Sequence, residues 1–266
     1  MKYAVNCTLL FTELPLLERP AAAKAAGFDA VEFWWPWSVA VPTDDEVDAF
    51  VAAIRDAGVQ LIALNLFAGD IPAGERGLVS VPSRAAEFRA NVPVAMRIGA
   101  ELGCRAFNAL YGNRDDRVDP AEADDCALDN LVFAARAAEE IGATILLEPL
   151  SAAPAYPLLT AADVSAAVQR VRARGVPNVR FLCDLYHLAA NGDDVAAVCR
   201  DRGADVAHCQ IADVPGRGEP GSGRLPLTEL LATLRAGGYD GWVSLEYKPT
   251  VPTAESFGHL PVLSEG

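Results

Sequence analysis

One rhythm constrains this chain more than any other feature. Short runs rich in Val, Ile, Leu and Phe alternate eight times with Ala-rich amphipathic segments. The apolar runs are YAVNCTL (3–9), DAVEFWW (29–35), VQLIALNLF (59–67), CRAFNAL (104–110), ATILLEPL (143–150), NVRFLCDLYH (178–187), ADVAHCQIAD (204–213) and GWVSLEY (241–247). About seven helices are predicted between them, near 13–26, from Thr43 to Gly58, and near 84–102, 120–141, 160–174, 190–202 and 226–236. Most stop at a glycine, as short helix-to-strand joins do. Thr43 with Glu46 has capping-box spacing, and Pro120 sits where a first helical turn accepts proline.

Continuous apolar strands separated by helices imply a parallel sheet covered by those helices. Eight such units in 266 residues point to a closed (β/α)8 barrel over residues 1–249, with 250–266 as a tail or lid. An open doubly wound sheet is the alternative, but NCTLLFTELP after the first strand lacks a glycine-rich phosphate loop. A chain this long can bury a core without staples. No apolar stretch reaches the roughly 18 residues of a membrane helix, and the N-terminal MKYAVNCTLLFTEL lacks the apolar core of a secretory leader. The six cysteines form no CxxC pair and read as reduced core residues of a cytoplasmic protein. Twenty-two basic against 36 acidic residues give a net charge of −14, which opposes nucleic-acid binding. Any anionic substrate must be held by a few local cations.

The chemistry lies in the second half. Glu148, Asp184, Gln210 and Glu246 each follow an apolar run at the predicted carboxyl end of strands five to eight, 36, 26 and 36 residues apart. In a barrel those ends converge on the face where active sites are built. A single acid at a strand end is ordinarily a solvated loop edge; four in succession are harder to account for that way. Three carboxylates in one place repel unless a cation compensates. An all-oxygen set suits Mg2+ or Mn2+ better than Zn2+ or Cu2+.

The segments NLFAGDIPAGERG (65–77), ILLEPL (145–150), CDLYH (183–187), HCQIADVPGRGEPGSG (208–223) and GWVSLEYKP (241–249) resemble the hydroxypyruvate isomerase family of the xylose isomerase-like barrels. The match runs in order along nearly the whole chain, and 208–223 is its most specific part. The resemblance implies a barrel binding one divalent metal, Mg2+ or Mn2+, through Glu148, Asp184, Gln210 and Glu246. Glu148 and Glu246 fall on the family's acid–base pair. The implied reaction is aldose–ketose isomerisation of hydroxypyruvate to 2-hydroxy-3-oxopropanoate, with proton transfer assisted by the metal. A 2-oxo-tetronate isomerase or a ketose 3-epimerase would use the same site, although epimerases usually carry His at the position of Gln210. Apurinic-site endonucleases are related, but their trinuclear zinc centre needs many histidines, and this chain has only His187, His208 and His259. A barrel that binds without turnover is the rival outside enzymology, and the glutamate pair argues against it.

A sugar-acid or keto-acid substrate needs a cation for its carboxylate. The candidates are Arg217, which resembles a substrate-binding Arg of relatives, then Arg76 and Lys248, each otherwise a solvated loop charge. His187 either opens the next helix or polarises a substrate oxygen, as the matching His does in relatives. His208 shares the strand face of Gln210 and reads as a core or ligand-orienting residue. Glu32, with Trp34, Trp35 and Trp37 behind it, would hydrogen-bond a substrate or a ligand; packing under the loop is the bland alternative. Asn65 and Asn108 end strands three and four. A homo-oligomer is plausible for this barrel group.

Overall fold

The computed structural model describes residues 1–260. Eight parallel strands close into a barrel in sequence order. They are β1 (Lys2–Asn6), β2 (Ala30–Phe33), β3 (Gln60–Asn65), β4 (Ala106–Asn108), β5 (Thr144–Leu147), β6 (Val179–Asp184), β7 (Val206–Ile211) and β8 (Trp242–Leu245). Closure is made by β1 on β8, with Val5 opposite Leu245. The helices are α1 (Arg19–Ala25), α2 (Asp44–Ala57), α3 (Ala85–Leu102), α4 (Pro120–Glu140), α5 (Ala161–Arg172), α6 (Leu185–Ala190), α7 (Val195–Arg202) and α8 (Leu227–Ala236). No helix among the described residues is long and apolar enough to cross a membrane.

The local signals act as their chemistry requires. Thr43 and Glu46 form a reciprocal capping box on α2, and Thr160 with Asp163 repeats it on α5. Gly58 and Gly103 end their helices at φ 66° and 71°, where a Cβ is costly. Gly203 departs from the rule. It is right-handed helical, and a Cβ there would stand 2.7 Å from the backbone of Gly237. That glycine is kept by close packing, not by its dihedral.

Among the described residues the structure has one more α-helix than the sequence predicts. The apolar run 178–187 reads as one strand, but β6 stops at Asp184 and α6 begins at once. Asp184 caps α6, its Oδ1 accepting the N–H groups of Tyr186 (2.8 Å) and His187 (3.2 Å). Side-chain capping outweighs continued apolar character here.

Most of the core lies between barrel and helices. A small separate cluster of Ala4, Ala30, Ile62 and Ala63, with Trp242 against it, fills part of the barrel interior. One pleat further along, the inward positions turn polar. Residues 250–260, read from sequence as tail or lid, lie on the loop after β1. The backbone N–H of Phe11 donates to Thr253 Oγ1 (3.0 Å), and Phe257 meets Phe11 and Phe28 with ring centroids 6.0 and 4.8 Å apart. The rest of that segment, 261–266, lies outside the described residues.

Candidate active site

The barrel's carboxyl end carries a buried polar layer. Strand pleating sends alternate residues inward, so the inward position after the small interior residues is Asn6 on β1, Glu32 on β2, Asn108 on β4, Asp184 on β6 and Gln210 on β7. Glu148 and Glu246 stand one residue past β5 and β8. All seven are buried. The four strand-end residues singled out in the second half therefore share one buried layer, joined by Asn6, Glu32 and Asn108 from β1, β2 and β4.

The hydrogen bonds divide the layer in two. On one side Glu32 is saturated. Its Oε1 accepts from Asn6 Nδ2 (2.8 Å) and Gln210 Nε2 (2.6 Å), and its Oε2 meets His208 Nε2. Burial disfavours the Glu32 charge, but His208 and these hydrogen bonds outweigh it and hold the carboxyl at about 2. On the other side are Glu148, Asp184 and Glu246. Asn108 Nδ2 donates to Glu148 Oε1 at 2.5 Å. Glu246 accepts from Trp34 Nε1 (3.2 Å), Asn6 Nδ2 (3.3 Å) and the Arg217 guanidinium. Burial and then the Asp184 charge push Glu148 up to about 8. Burial takes Asp184 to about 6 against the pull of Arg217, and burial likewise raises Glu246 well above the ordinary range.

His187 occupies the first turn of α6 and folds back toward Asp184, with Nε2 3.6 Å from Oδ2. Its Nδ1 accepts the backbone N–H of Ser151 (2.9 Å), which leaves the proton on Nε2. Burial, with the Arg217 charge added, keeps the ring neutral far below its usual pKa. Glu148, Asp184 and His187 bring ligand atoms within 4.8 Å of one another. With Nε2 protonated, His187 is better made to donate to an oxygen than to ligate a cation.

A divalent cation fits the remaining groups. Asp184 Oδ2 and Gln210 Oε1 are buried oxygens without a hydrogen-bond partner. Asp184 Oδ1 is used by the helix cap and Gln210 Nε2 by Glu32, so each residue has one oxygen left over. Two spare oxygens and two carboxylates whose ionisation is disfavoured are what a cation would compensate.

Arg217 reaches this layer from the loop between β7 and α8, at φ 60°. Its guanidinium stands 3.7 Å from Asp184 Oδ2, contacts Glu246, and lies between the rings of Trp34 (5.9 Å) and Tyr186 (5.5 Å). Asp213 builds that loop, with Oδ1 accepting from Val214 N (2.8 Å) and Leu225 N (2.9 Å), and Oδ2 from Gly221 N (3.1 Å) and Gly223 N (2.9 Å).

The other candidates make contacts of their own. Arg76 donates to the carbonyls of Ile71 (2.9 Å) and Glu75 (2.7 Å) in its own loop. Lys248 is exposed, and its backbone N–H ties to the Arg217 carbonyl at 2.7 Å. Trp34 joins the site, whereas Trp35 and Trp37 pack edge-to-face beneath the loop. His259 lies against Gly221. Asn6 and Ser151 are not picked out by the sequence pattern. Asn6 ends β1, but in the sequence it falls inside the run 3–9 and so carries no strand-end signal, and Ser151 carries none either.

This buried layer of acids and amides at the carboxyl ends of eight parallel strands is the site of one class. The chain belongs to the family of xylose isomerase-like TIM barrels, which it matches over residues 20–261. Within that class it falls in the hydroxypyruvate isomerase family. It is 55% identical over 266 residues to a Streptomyces coelicolor protein named "Putative hydroxypyruvate isomerase", covering 98% of this chain and 95% of that one. It is 35% identical to the 2-oxo-tetronate isomerase of Cupriavidus necator, covering 97% of each. A solved Brucella melitensis structure titled AP endonuclease, family 2, shares 32% identity and superposes with a TM-score of 0.87 over 97% of each chain.

Proposed function

We propose that this chain is an aldose–ketose isomerase of small 2-oxo acids, interconverting hydroxypyruvate and 2-hydroxy-3-oxopropanoate. One observation carries the reading: Glu148 and Glu246 enter the same buried chamber from β5 and β8, with Asp184 and a spare oxygen of Gln210 beside them. Glu148, Asp184, Gln210 and Glu246 would hold one Mg2+ or Mn2+, which supplies positive charge beside the substrate's carbonyl and hydroxyl oxygens.

The proton chemistry belongs to the chain's own groups. One glutamate, as carboxylate, takes a proton from C3, the carbon bearing the hydroxyl. A proton is returned to C2, the former carbonyl carbon, and the hydroxyl proton passes from the oxygen on C3 to that on C2. His187, neutral with its proton on Nε2, donates to the oxygen on which negative charge grows. Arg217 has Nη1 engaged by neither Glu246 nor Asp184, a donor for the substrate carboxylate. The Trp34 and Tyr186 rings restrict how far its guanidinium can swing.

A four-carbon 2-oxo acid is the second reading, supported by the Cupriavidus relative. A nucleic-acid substrate is disfavoured by the net charge of −14. The test is proton NMR of hydroxypyruvate in D2O with metal-stripped protein, before and after adding Mg2+ or Mn2+. The proposal expects metal-dependent 2-hydroxy-3-oxopropanoate with deuterium on carbon. Exchange without product would move the substrate to longer 2-oxo acids, and no exchange with the metal bound would overturn the isomerase reading for hydroxypyruvate.

A further inference from the structure

Glutamine is an ambiguous metal ligand. Its amide has one oxygen and one NH2 of nearly the same shape, and only the oxygen can meet a cation. A carboxylate in that position carries no such ambiguity, so a glutamine needs a neighbour that fixes which end faces the site. Glu32 lies 2.6 Å from Gln210 Nε2 through its Oε1. A carboxylate has only acceptors to offer, so the NH2 must face it. With the amide reversed, two oxygens would stand at that separation and the NH2 would point among the acids.

Glu32 is itself immobilised. Asn6 Nδ2 donates to the same Oε1 at 2.8 Å, and His208 meets Oε2. The β2–β3 register shifts between Val31 and Glu32, and such an irregularity re-aims a side chain. Glu32 is buried, and both of its oxygens are engaged by Asn6, Gln210 and His208. Gln210 Oε1, at the other end of the amide, is buried and has no partner.

We infer that Glu32 is a positioning residue that locks the amide of Gln210 with its oxygen toward the acid chamber, making a glutamine serviceable as a metal ligand. This rests on the reading of Gln210 as a ligand under the proposed function.

The test is a double-mutant cycle on Mn2+ affinity, read by electron paramagnetic resonance of free Mn2+ and independent of turnover. Glu32→Met removes the acceptor at similar volume and is expected to weaken Mn2+ binding about 10–100-fold, the usual effect of losing an orienting partner. Glutamate at 210 has an oxygen on both branches and needs no orienting. On the Gln210→Glu background the Glu32→Met loss is therefore expected to shrink below about threefold or reverse. A role for Glu32 confined to folding would cost the same on both backgrounds, and that result overturns the inference.

A second measurement covers poor folding of Glu32→Met. The chain has three glutamines, Gln60, Gln169 and Gln210. Labelling their side-chain amides with 15N in the unmutated protein should give one NH2 pair, lost in Gln210→Glu, that exchanges slowly with D2O with or without Mg2+. A fast-exchanging Gln210 pair overturns the inference. Unaltered Mn2+ affinity in Glu32→Met overturns it alone, whereas no Mn2+ binding by the unmutated protein removes the metal site as well.

Discussion

Asp213→Asn should open the loop that carries Arg217 without unfolding the barrel. The Asp213 carboxylate accepts four backbone N–H groups, two on each oxygen, from residues 214, 221, 223 and 225. Within that loop Arg217 has a left-handed φ of 60°, a conformation that a side chain with a Cβ does not choose freely. Asparagine keeps one oxygen and turns an NH2 on the other pair of donors, so two bonds are lost whichever way the amide sits. Hydrogen bonds to a charged group are worth roughly 1.5–3 kcal/mol each, so the closed loop loses about 3 kcal/mol at the low end. That is about a 100-fold rise in the opening equilibrium. Amide hydrogen exchange of the peptide spanning 214–225 reads it directly, because exchange there reports local opening rather than global stability. Strand peptides should exchange as in the unmutated protein, and KM for the acid substrate should rise as Arg217 leaves Glu246. Exchange of the loop within about threefold of normal would refute the claim that Asp213 builds it.

Three further outcomes follow from the same geometry. Glu148 at about 8 and Asp184 at about 6 lie above the roughly 4 of a free carboxyl, so the folded metal-free protein holds protons the unfolded chain has released. That stabilisation is complete below about pH 4 and is lost as pH rises through 6 to 8; the Tm of metal-stripped protein should fall over that window, with added Mn2+ raising it most at the alkaline end, and a flat profile contradicts the assignment. Glu246→Gln should lower turnover at least about 100-fold while substrate affinity changes less than about tenfold, because proton transfer is lost and shape is kept; modest changes in both would favour a binding barrel. Gly203→Ala should cost about 1–3 kcal/mol from the 2.7 Å approach to Gly237, a Tm loss of several degrees, despite a helical φ that alanine prefers; an unchanged Tm would mean that α7 and α8 move apart at little cost.

Much of the site was legible because a barrel's strand ends converge whatever their sequence separation. Glu148, Asp184, Gln210 and Glu246 could be grouped from their position after apolar runs, since pleating and closure place such residues in one layer. The divalent cation remains a proposal, supported by two spare oxygens that no sequence pattern reveals. Arg217 was selected, but not its seat by Trp34 and Tyr186, and Glu32 was selected to hydrogen-bond a substrate or a ligand, but not its pairing with Gln210.

The local elements follow from short stretches of chain. Capping boxes at Thr43 and Thr160, left-handed glycines at 58 and 103, and apolar runs of strand length act within a few residues of themselves, so their chemistry is visible in order along the chain. The pairings come from closure of the barrel. Asn6 reaches Glu246 across 240 residues, and Glu32 reaches Gln210 across 178. Those contacts exist because β1 closes on β8, which sets the first strands beside the last, and because one pleat's difference in register decides which polar groups meet. Which carboxylate is saturated and which keeps an oxygen free is fixed by that closure.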